Sequence, residues 1–402
     1  MGKILTKRSK YLILLVFLLN LFTFQLLIQS VSAASSYQFK WSYSTGNSIY
    51  SVAISADGQY VVAGSDDCKV YFFQKASNTT LWTYLTSSWV DSVAISADGQ
   101  YVAAGSYDYN IYYFQKTSNT TLWSYKMGGN INCIAISAHG QYIAAGSDDK
   151  NVYLLQKTSN TTLWSYSSSD LVQSVAISAD GQYIVAGSDD NAIYFFQNTS
   201  STPQWTYLTD ADVVSVAISA NGRYIAAGSR DYKVYLFQNT SNIPLWTYST
   251  DDSVFSVAIS ADGQYIAAGS DDDKVYFFQK TSNTTLWTYS AGSDVESVAI
   301  SADGQYIAAG SYDDKVYFFQ KTSNITLWSY SAGGDVNSVA MSADGHYVAA
   351  GNENTNVYFF SIYSAGQGSI PFANLGLLVI ALMAISGLYY RHKRQKLNFK
   401  YL

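Results

Sequence analysis

From Tyr50 onward the chain alternates short apolar runs with polar clusters, on a beat that does not slip. In the copy beginning at Ser256, "SVAIS" is a β-branched run, and "ADG" is a tight-turn signal because Gly tolerates positive φ. "QYIAAGS" is a second apolar run, "SDDD" an acidic turn and "KVYFFQ" a third run; "KTSNTT" is a turn of hydroxyl and amide residues and "LWTYS" a fourth run. The middle residue of the Ala-Xaa-Gly triplet falls at Asp57, Asp98, His139, Asp180, Asn221, Asp262, Asp303 and Asp344, always 41 residues apart. A second series keeps the same step: Trp41, Trp82, Trp123, Trp164, Trp205, Trp246, Trp287 and Trp328, with Trp89 alone outside it. Four short strands per 41 residues, joined by polar turns, describe one blade of a propeller.

The sizes of the apolar residues agree. The first two runs of each copy are rich in Ala, Val, Ile and Gly, and the last two carry Phe, Tyr and Trp. Blades converge on an axis and splay outward, so small residues suit the inner strands and bulky ones the outer strands. A lone run "QFKWSY" at 38–43 precedes the first "SVAIS" and matches "TTLWTY", whereas no Trp run follows the last "VYFFS" at 357–361. The fold expected is therefore all-β: an eight-bladed β-propeller of 41-residue four-stranded repeats, its ring closed by the amino-terminal strand. Closure of that kind hides the sheet edges that an open array would expose.

The residues carry a resemblance. "SVAISADGQYIAAGSDD" resembles the first half of a WD-repeat, and "KVYFFQKTSNTTLWTY" is similar to the repeat of quinoprotein-type propellers, which ends in a Leu-Trp strand. Two departures stand out. The Gly-His pair of WD-repeats is missing before each "SVAIS", and the Trp-Asp pair is replaced by Phe-Phe-Gln, as at Phe72-Phe73-Gln74. That family's full His–Asp–Ser–Trp hydrogen-bonded set is not expected here. Its turn Asp survives as Asp67, Asp108, Asp149, Asp190, Asp231, Asp272 and Asp313, with Asn354 in the last copy, and reads as a turn cap. The acidic, sequon-rich character resembles that of archaeal surface proteins.

The copies can be compared with one another. The turns "SADGQY" and "QKTSNTT", on one face of the expected ring, hardly change. On the other face three positions vary. Just before the first strand stand Tyr50, Asp91, Asn132, Gln173, Val214, Phe255, Glu296 and Asn337; two residues earlier stand Ser48, Trp89, Asn130, Leu171, Asp212, Ser253, Asp294 and Asp335. Ahead of the turn Asp stand Asp66, Tyr107, Asp148, Asp189, Arg230, Asp271, Tyr312 and Glu353. The resemblance implies that such positions line the channel rim and contact partners. The candidate binding residues are Tyr50, Trp89, Asp91, Tyr107, Asn132, Gln173, Asp212, Arg230, Phe255, Glu296, Tyr312 and Asn337. On the uniform face, sequons at Asn78, Asn119, Asn160, Asn198, Asn239, Asn283 and Asn324 are candidate glycosylation sites, or else turn chemistry copied by duplication.

The ends change the picture. Lys3, Lys7, Arg8 and Lys10 precede an apolar run from Tyr11, followed by the small residues Val31-Ser32-Ala33, which reads as a signal peptide over 1–33. With the propeller assigned to 34–361 and a linker to 362–370, residues 371–390 form an uncharged run suited to a membrane-crossing helix, and the basic tail 391–402 follows at once. Both ends place the repeats outside the cell and the tail in the cytosol. Between 34 and 361 there are 14 Lys and Arg against 29 Asp and Glu, a formal charge of −15, which repels nucleic acid and favours cationic partners. Cys68 and Cys133 occupy non-equivalent repeat positions, so no disulfide framework is expected.

Candidate chemistry is thin. His139 lies in a first turn, His346 beside one and His392 in the tail; no pair has metal-ligand spacing, and no nucleophile elbow, phosphate loop or dinucleotide fingerprint occurs. Quinoprotein dehydrogenases carry an adjacent cysteine pair that this chain lacks. A glycosidase needs two carboxylates at a set distance, and the acidic loops single out no pair. The expectation is a non-catalytic, membrane-anchored extracellular platform that binds a protein or surface glycan, with no cofactor and no metal. The alternatives are an exported quinone- or cation-dependent enzyme and a structural coat protein.

Overall fold

The computed structural model describes residues 36–363, and every element in it is a strand. The expected signal segment, membrane helix and basic tail lie outside the described residues. Among those described, no helix is long and apolar enough to cross a membrane.

Eight four-stranded antiparallel sheets follow one another around a ring. Blade 1 runs through Ile49–Ile54, Tyr60–Ser65, Lys69–Gln74 and Thr80–Leu85, from the axis outward. Blade 8 is assembled from both ends of the ring: Val336–Met341, Tyr347–Asn352 and Asn356–Tyr363, with Ser36–Ser44 as its outer strand. The last strand runs two residues beyond the boundary expected at 361, and the Ile362 N–H donates to the His346 carbonyl at 2.7 Å.

The first turn is built as its residue types require. Ser55 Oγ donates to Asp57 Oδ1 at 2.6 Å, the Gln59 N–H donates to the same oxygen at 3.0 Å, and the Tyr60 N–H donates to Ser55 Oγ at 3.0 Å. Gly58 then takes φ +66, where a Cβ would lie 2.2 Å from the Tyr347 ring of the preceding blade. Only glycine meets both the conformation and the space. At Gly64 the constraint is the other neighbour: a Cβ would sit 2.7 Å from the Val90 carbonyl of blade 2.

The core consists of eight similar clusters, each formed between two blades rather than within one. Between blades 1 and 2, for example, Val62, Phe72 and Trp82 meet Val93, Val102 and Phe114. Trp82 stacks on Phe72 of its own blade at 4.8 Å and leans on Phe114 of the next at 5.2 Å. Its Nε1 donates to the Lys116 carbonyl of that next blade at 2.9 Å. In return the Asn119 amide donates to the Thr83 carbonyl at 3.1 Å, so tryptophan and sequon asparagine form a reciprocal clasp. The tryptophan bond recurs from Trp41 through Trp287. Among the described residues, the Trp328 N–H has no partner.

Nearer the axis, the Val52 N–H donates to Ser338 Oγ, Val93 to Ser51 Oγ and Val216 to Ser174 Oγ, and the series continues around the ring. Blade 3 places Cys133 at the serine position. It is a free thiol, as is Cys68, and burial pushes its pKa far up. Main-chain bonds between successive first turns, from Ala138 to Ala179 and onward to Ala343, close on Ala56 at 2.9 Å.

Two outcomes test this construction. Trp287→Ala removes a ring packed at 5.0 Å on Phe277 and 5.2 Å on Phe319, and is expected to cost about 3–5 kcal/mol in urea unfolding. Deleting residues 38–43 leaves the edge of the last strand unpaired. The variant is expected to unfold or associate, by light scattering and melting; a monomer of wild-type stability would exclude closure by that strand.

Candidate functional site: the variable rim

Two of the three sets of variable positions are bonded to each other in every blade. The Asp66 N–H donates to the Ser48 carbonyl at 3.1 Å, and Tyr107 to Trp89, Asp148 to Asn130, Asp189 to Leu171, Arg230 to Asp212, Asp271 to Ser253, Tyr312 to Asp294 and Glu353 to Asp335 repeat the bond. These bonds tie the loop entering each blade to its second turn, and so assemble one continuous rim.

The turn Asp supports the rim from below. Asp108 Oδ2 accepts from Tyr112 Oη at 2.6 Å and from the Ser87 N–H at 2.9 Å, while Oδ1 accepts from the Asn110 N–H at 3.0 Å. These bonds hold the Asp108 carboxyl below its usual range despite burial, whereas burial and the carboxylate push the Tyr112 hydroxyl far up. A tyrosine hydroxyl thus serves where the WD-repeat set uses other partners. In blade 8, where Asn354 replaces the Asp, Tyr358 donates instead to the Ala332 carbonyl at 2.6 Å.

The twelve candidate residues divide by what they touch. Asn132 and Asn337 are spent on their neighbours: Asn132 donates to the Val172 carbonyl and to Asp148, and Asn337 to the Ile49 carbonyl at 3.0 Å. Their amides secure the next blade and offer a partner little. Gln173 donates to Asp189 at 2.7 Å, and Tyr312 lies beside Glu296, where burial and then that carboxylate push its hydroxyl far up. Asp212 accepts from Arg230 at 3.3 Å, and the guanidinium lies 5.5 Å from the centre of the Phe255 ring. Trp89 and Tyr107 pack at 5.8 Å with planes inclined by 33°, and Trp89 remains 49% exposed. Tyr50, 43% exposed, lies beside Asp66, and Asp91 lies in the field of Asp66 and Asp148.

The rim is a crowded set of acids. Burial, with the Asp66 and Asp148 carboxylates adding, pushes Asp91 up to about 7. Burial and Asp271 push Glu296 to about 7 against the opposing bond from Tyr312, and Asp271 itself rises to about 6 through burial and Asp294. Tyr107 is driven to about 12 by burial and then by Asp91. Among the described residues, no three His, Cys, Asp or Glu side chains are placed to hold a metal ion together.

One further variable set lies outside the three positions compared above. The residue after each turn Asp takes φ between 66 and 73: Cys68, Tyr109, Lys150, Asn191, Tyr232, Asp273, Asp314 and Thr355. Tyr109 and Tyr232 are 42% and 47% exposed there and add an outer aromatic row to the variable face. Their variation from copy to copy is the signal that points to them.

The sequons also divide. Asn78, Asn119, Asn160, Asn283 and Asn324 are exposed at equivalent turn positions. Asn198 and Asn239 instead fill the place of Lys75, half-buried, and their carbonyls receive Trp164 and Trp205. Of the exposed five, Asn78, Asn119, Asn283 and Asn324 give their amides to a carbonyl of the preceding blade, whereas the Asn160 amide makes no hydrogen bond to a described residue.

Two family models match. That of the outer membrane protein assembly factor BamB covers residues 107–253 and 230–367, and that of the WD domain, G-beta repeat, covers 37–74 and 78–115. The WD matches each begin with an outer strand and end with the third strand of the following blade, so the sequence unit straddles two blades. No individual curated protein matches the chain.

Asp91, Glu296 and Asp271 each bind their proton more tightly in the folded ring than in the unfolded chain. Their contribution to stability is therefore complete below about pH 4 and is lost as the pH rises through 6–7. Asp91→Asn is expected to stabilise the ring by about 1–3 kcal/mol at pH 8 and by much less at pH 4, read from urea midpoints. Equal effects at both pH values would mean that Asp91 ionises as freely folded as unfolded.

Proposed function

The chain belongs to the repeat family described by the model of the outer membrane protein assembly factor BamB, and from that premise we propose that its propeller is a non-catalytic platform that binds a protein partner on the variable rim. One observation carries the reading. Eight nearly identical blades differ where their side chains converge on the rim, and there they present exposed aromatics among carboxylates. Aromatic anchors surrounded by polar groups are the composition of contact surfaces. The assembly role named in the BamB model and the WD-repeat match favour a protein over a surface glycan. A basic cluster directly after the uncharged run 371–390 supports a ring held outside the membrane. The exposed sequons on the opposite face fit an exported chain and leave the rim clear.

The test is affinity capture from native membranes with the full chain. A Trp89→Ala, Asp212→Ala double variant is expected to lose, at least tenfold, the partner that the wild type retains, with an unchanged melting temperature. Asn119→Gln, on the opposite face, is expected to retain it. Undiminished capture by the double variant would overturn the reading.

A further inference from the structure

The sectors of the rim differ in whether their charge is answered from within. In blades 3 and 4, Asp148 receives Asn130 and Asn132 at 2.7 Å each, and Asp189 receives Gln173. In blade 7, Tyr312 beside Glu296 partly offsets the effect of burial on that carboxyl. Where blades 5 and 6 meet, the rim supplies its own cation. Arg230 lies over the Phe255 ring at 5.5 Å with Asp212 at 3.3 Å, and its charge eases Asp189, Asp271 and Glu296.

Across the ring, where blades 1 and 2 meet, the same kinds of group stand without a cation. Tyr107 occupies the repeat position of Arg230 and packs on Trp89 at 5.8 Å. Tyr50 and Asp66 complete one side. Asp91, beside them, makes no hydrogen bond to any described residue, and no Lys or Arg eases Asp91 or Asp66. A half-buried carboxylate flanked by two others and by open aromatic faces favours one kind of ligand group: a compact organic cation with a flat or apolar surface to lay on the rings.

We propose that the sector formed by Tyr50, Asp66, Trp89, Asp91 and Tyr107 binds a single arginine or lysine side chain offered by a basic segment of a protein partner. The proposal rests on the platform reading and specifies where that platform takes hold. Arg230 with Phe255 and Asp212 is the template within the same chain: guanidinium on ring, carboxylate at its edge. Electroneutrality points the same way. Bringing a cation to Asp91 relieves the mutual repulsion of Asp66, Asp91 and Asp148, whereas a neutral or anionic segment leaves it in place. The ring's net charge of −15 steers basic segments toward it over longer range.

The probe is the blocked tripeptide acetyl-Gly-Arg-Gly-amide, with its neutral citrulline isostere as control, at physiological salt. The readout is fluorine NMR of the full chain labelled with 5-fluorotryptophan, Trp89 being assigned by loss of its signal in Trp89→Phe. The arginine peptide is expected to shift the Trp89 resonance saturably and the citrulline peptide to leave it in place. Asp91→Asn is expected to weaken binding at least tenfold, while Asn160→Gln, on the opposite face, leaves the Trp89 response intact. No shift at Trp89, an equal response to citrulline, or unchanged affinity in Asp91→Asn would overturn the proposal. If the peptide fails while the Trp89→Ala, Asp212→Ala variant still loses its partner, the platform stands and this specificity falls. If the peptide binds and capture is indifferent to the double variant, the platform reading falls instead.

Discussion

The whole ring depends on how a tryptophan is held between two blades. Each outer strand places its Trp between third-strand side chains of its own blade and of the next, as Trp82 lies between Phe72 and Phe114, and from Trp41 through Trp287 the indole N–H reaches the following turn, as Trp82 does at Lys116. Such a ring buries most of its surface and uses its one donor, which makes it both the largest apolar contribution and a directional one. Repeated around a circle, the contact fixes the angle between blades, and eight equal angles must close. The 41-residue spacing without insertion is the covalent counterpart of that equality.

Because the cores lie between blades, each blade is a half-site for two neighbours, and the substitutions it tolerates are confined accordingly. Positions such as Gly58 and Gly64 face the backbone or a ring of an adjacent blade at distances no side chain survives. The first turns are joined by main-chain bonds from alanine to alanine. What remains free is the edge on which the entering loop and second turn meet. Variation is therefore concentrated on one face, and that face inherits a rigid frame. A preorganised frame lets a few side chains carry recognition, since little ordering entropy is spent on binding.

Charge on that face is arranged in sectors rather than as a uniform acidic ring. Arg230 neutralises one side, amides and a tyrosine temper others, and Asp91 stands unanswered, with its proton held up to about 7. Such a carboxylate lowers the stability of the empty ring at neutral pH, a cost a protein bears where the group serves binding.

The sequence by itself determined the strands, their number and the closure of the ring. A period of 41 residues, turn residues at fixed offsets and an orphan outer strand at 38–43 are local or countable facts. The turn Asp was equally legible as a cap, because its Asn110 partner lies two residues on, although its tyrosine partner at i+4 and the Ser87 N–H, 21 residues back, were not singled out. Tertiary structure decided the rim. Asn132 and Asn337 share a repeat position with Tyr50 and Asp91, yet both turn onto a neighbouring blade's carbonyl; Asn198 and Asn239 share the sequon with Asn119 but occupy a lysine's place. Whether a carboxylate is answered depends on side chains about 16–18 residues away in the chain or on the next blade, and no local spacing records that meeting. Periodicity specifies the frame because every copy repeats it, whereas the site arises where the copies differ and only their approach in space sets which groups meet.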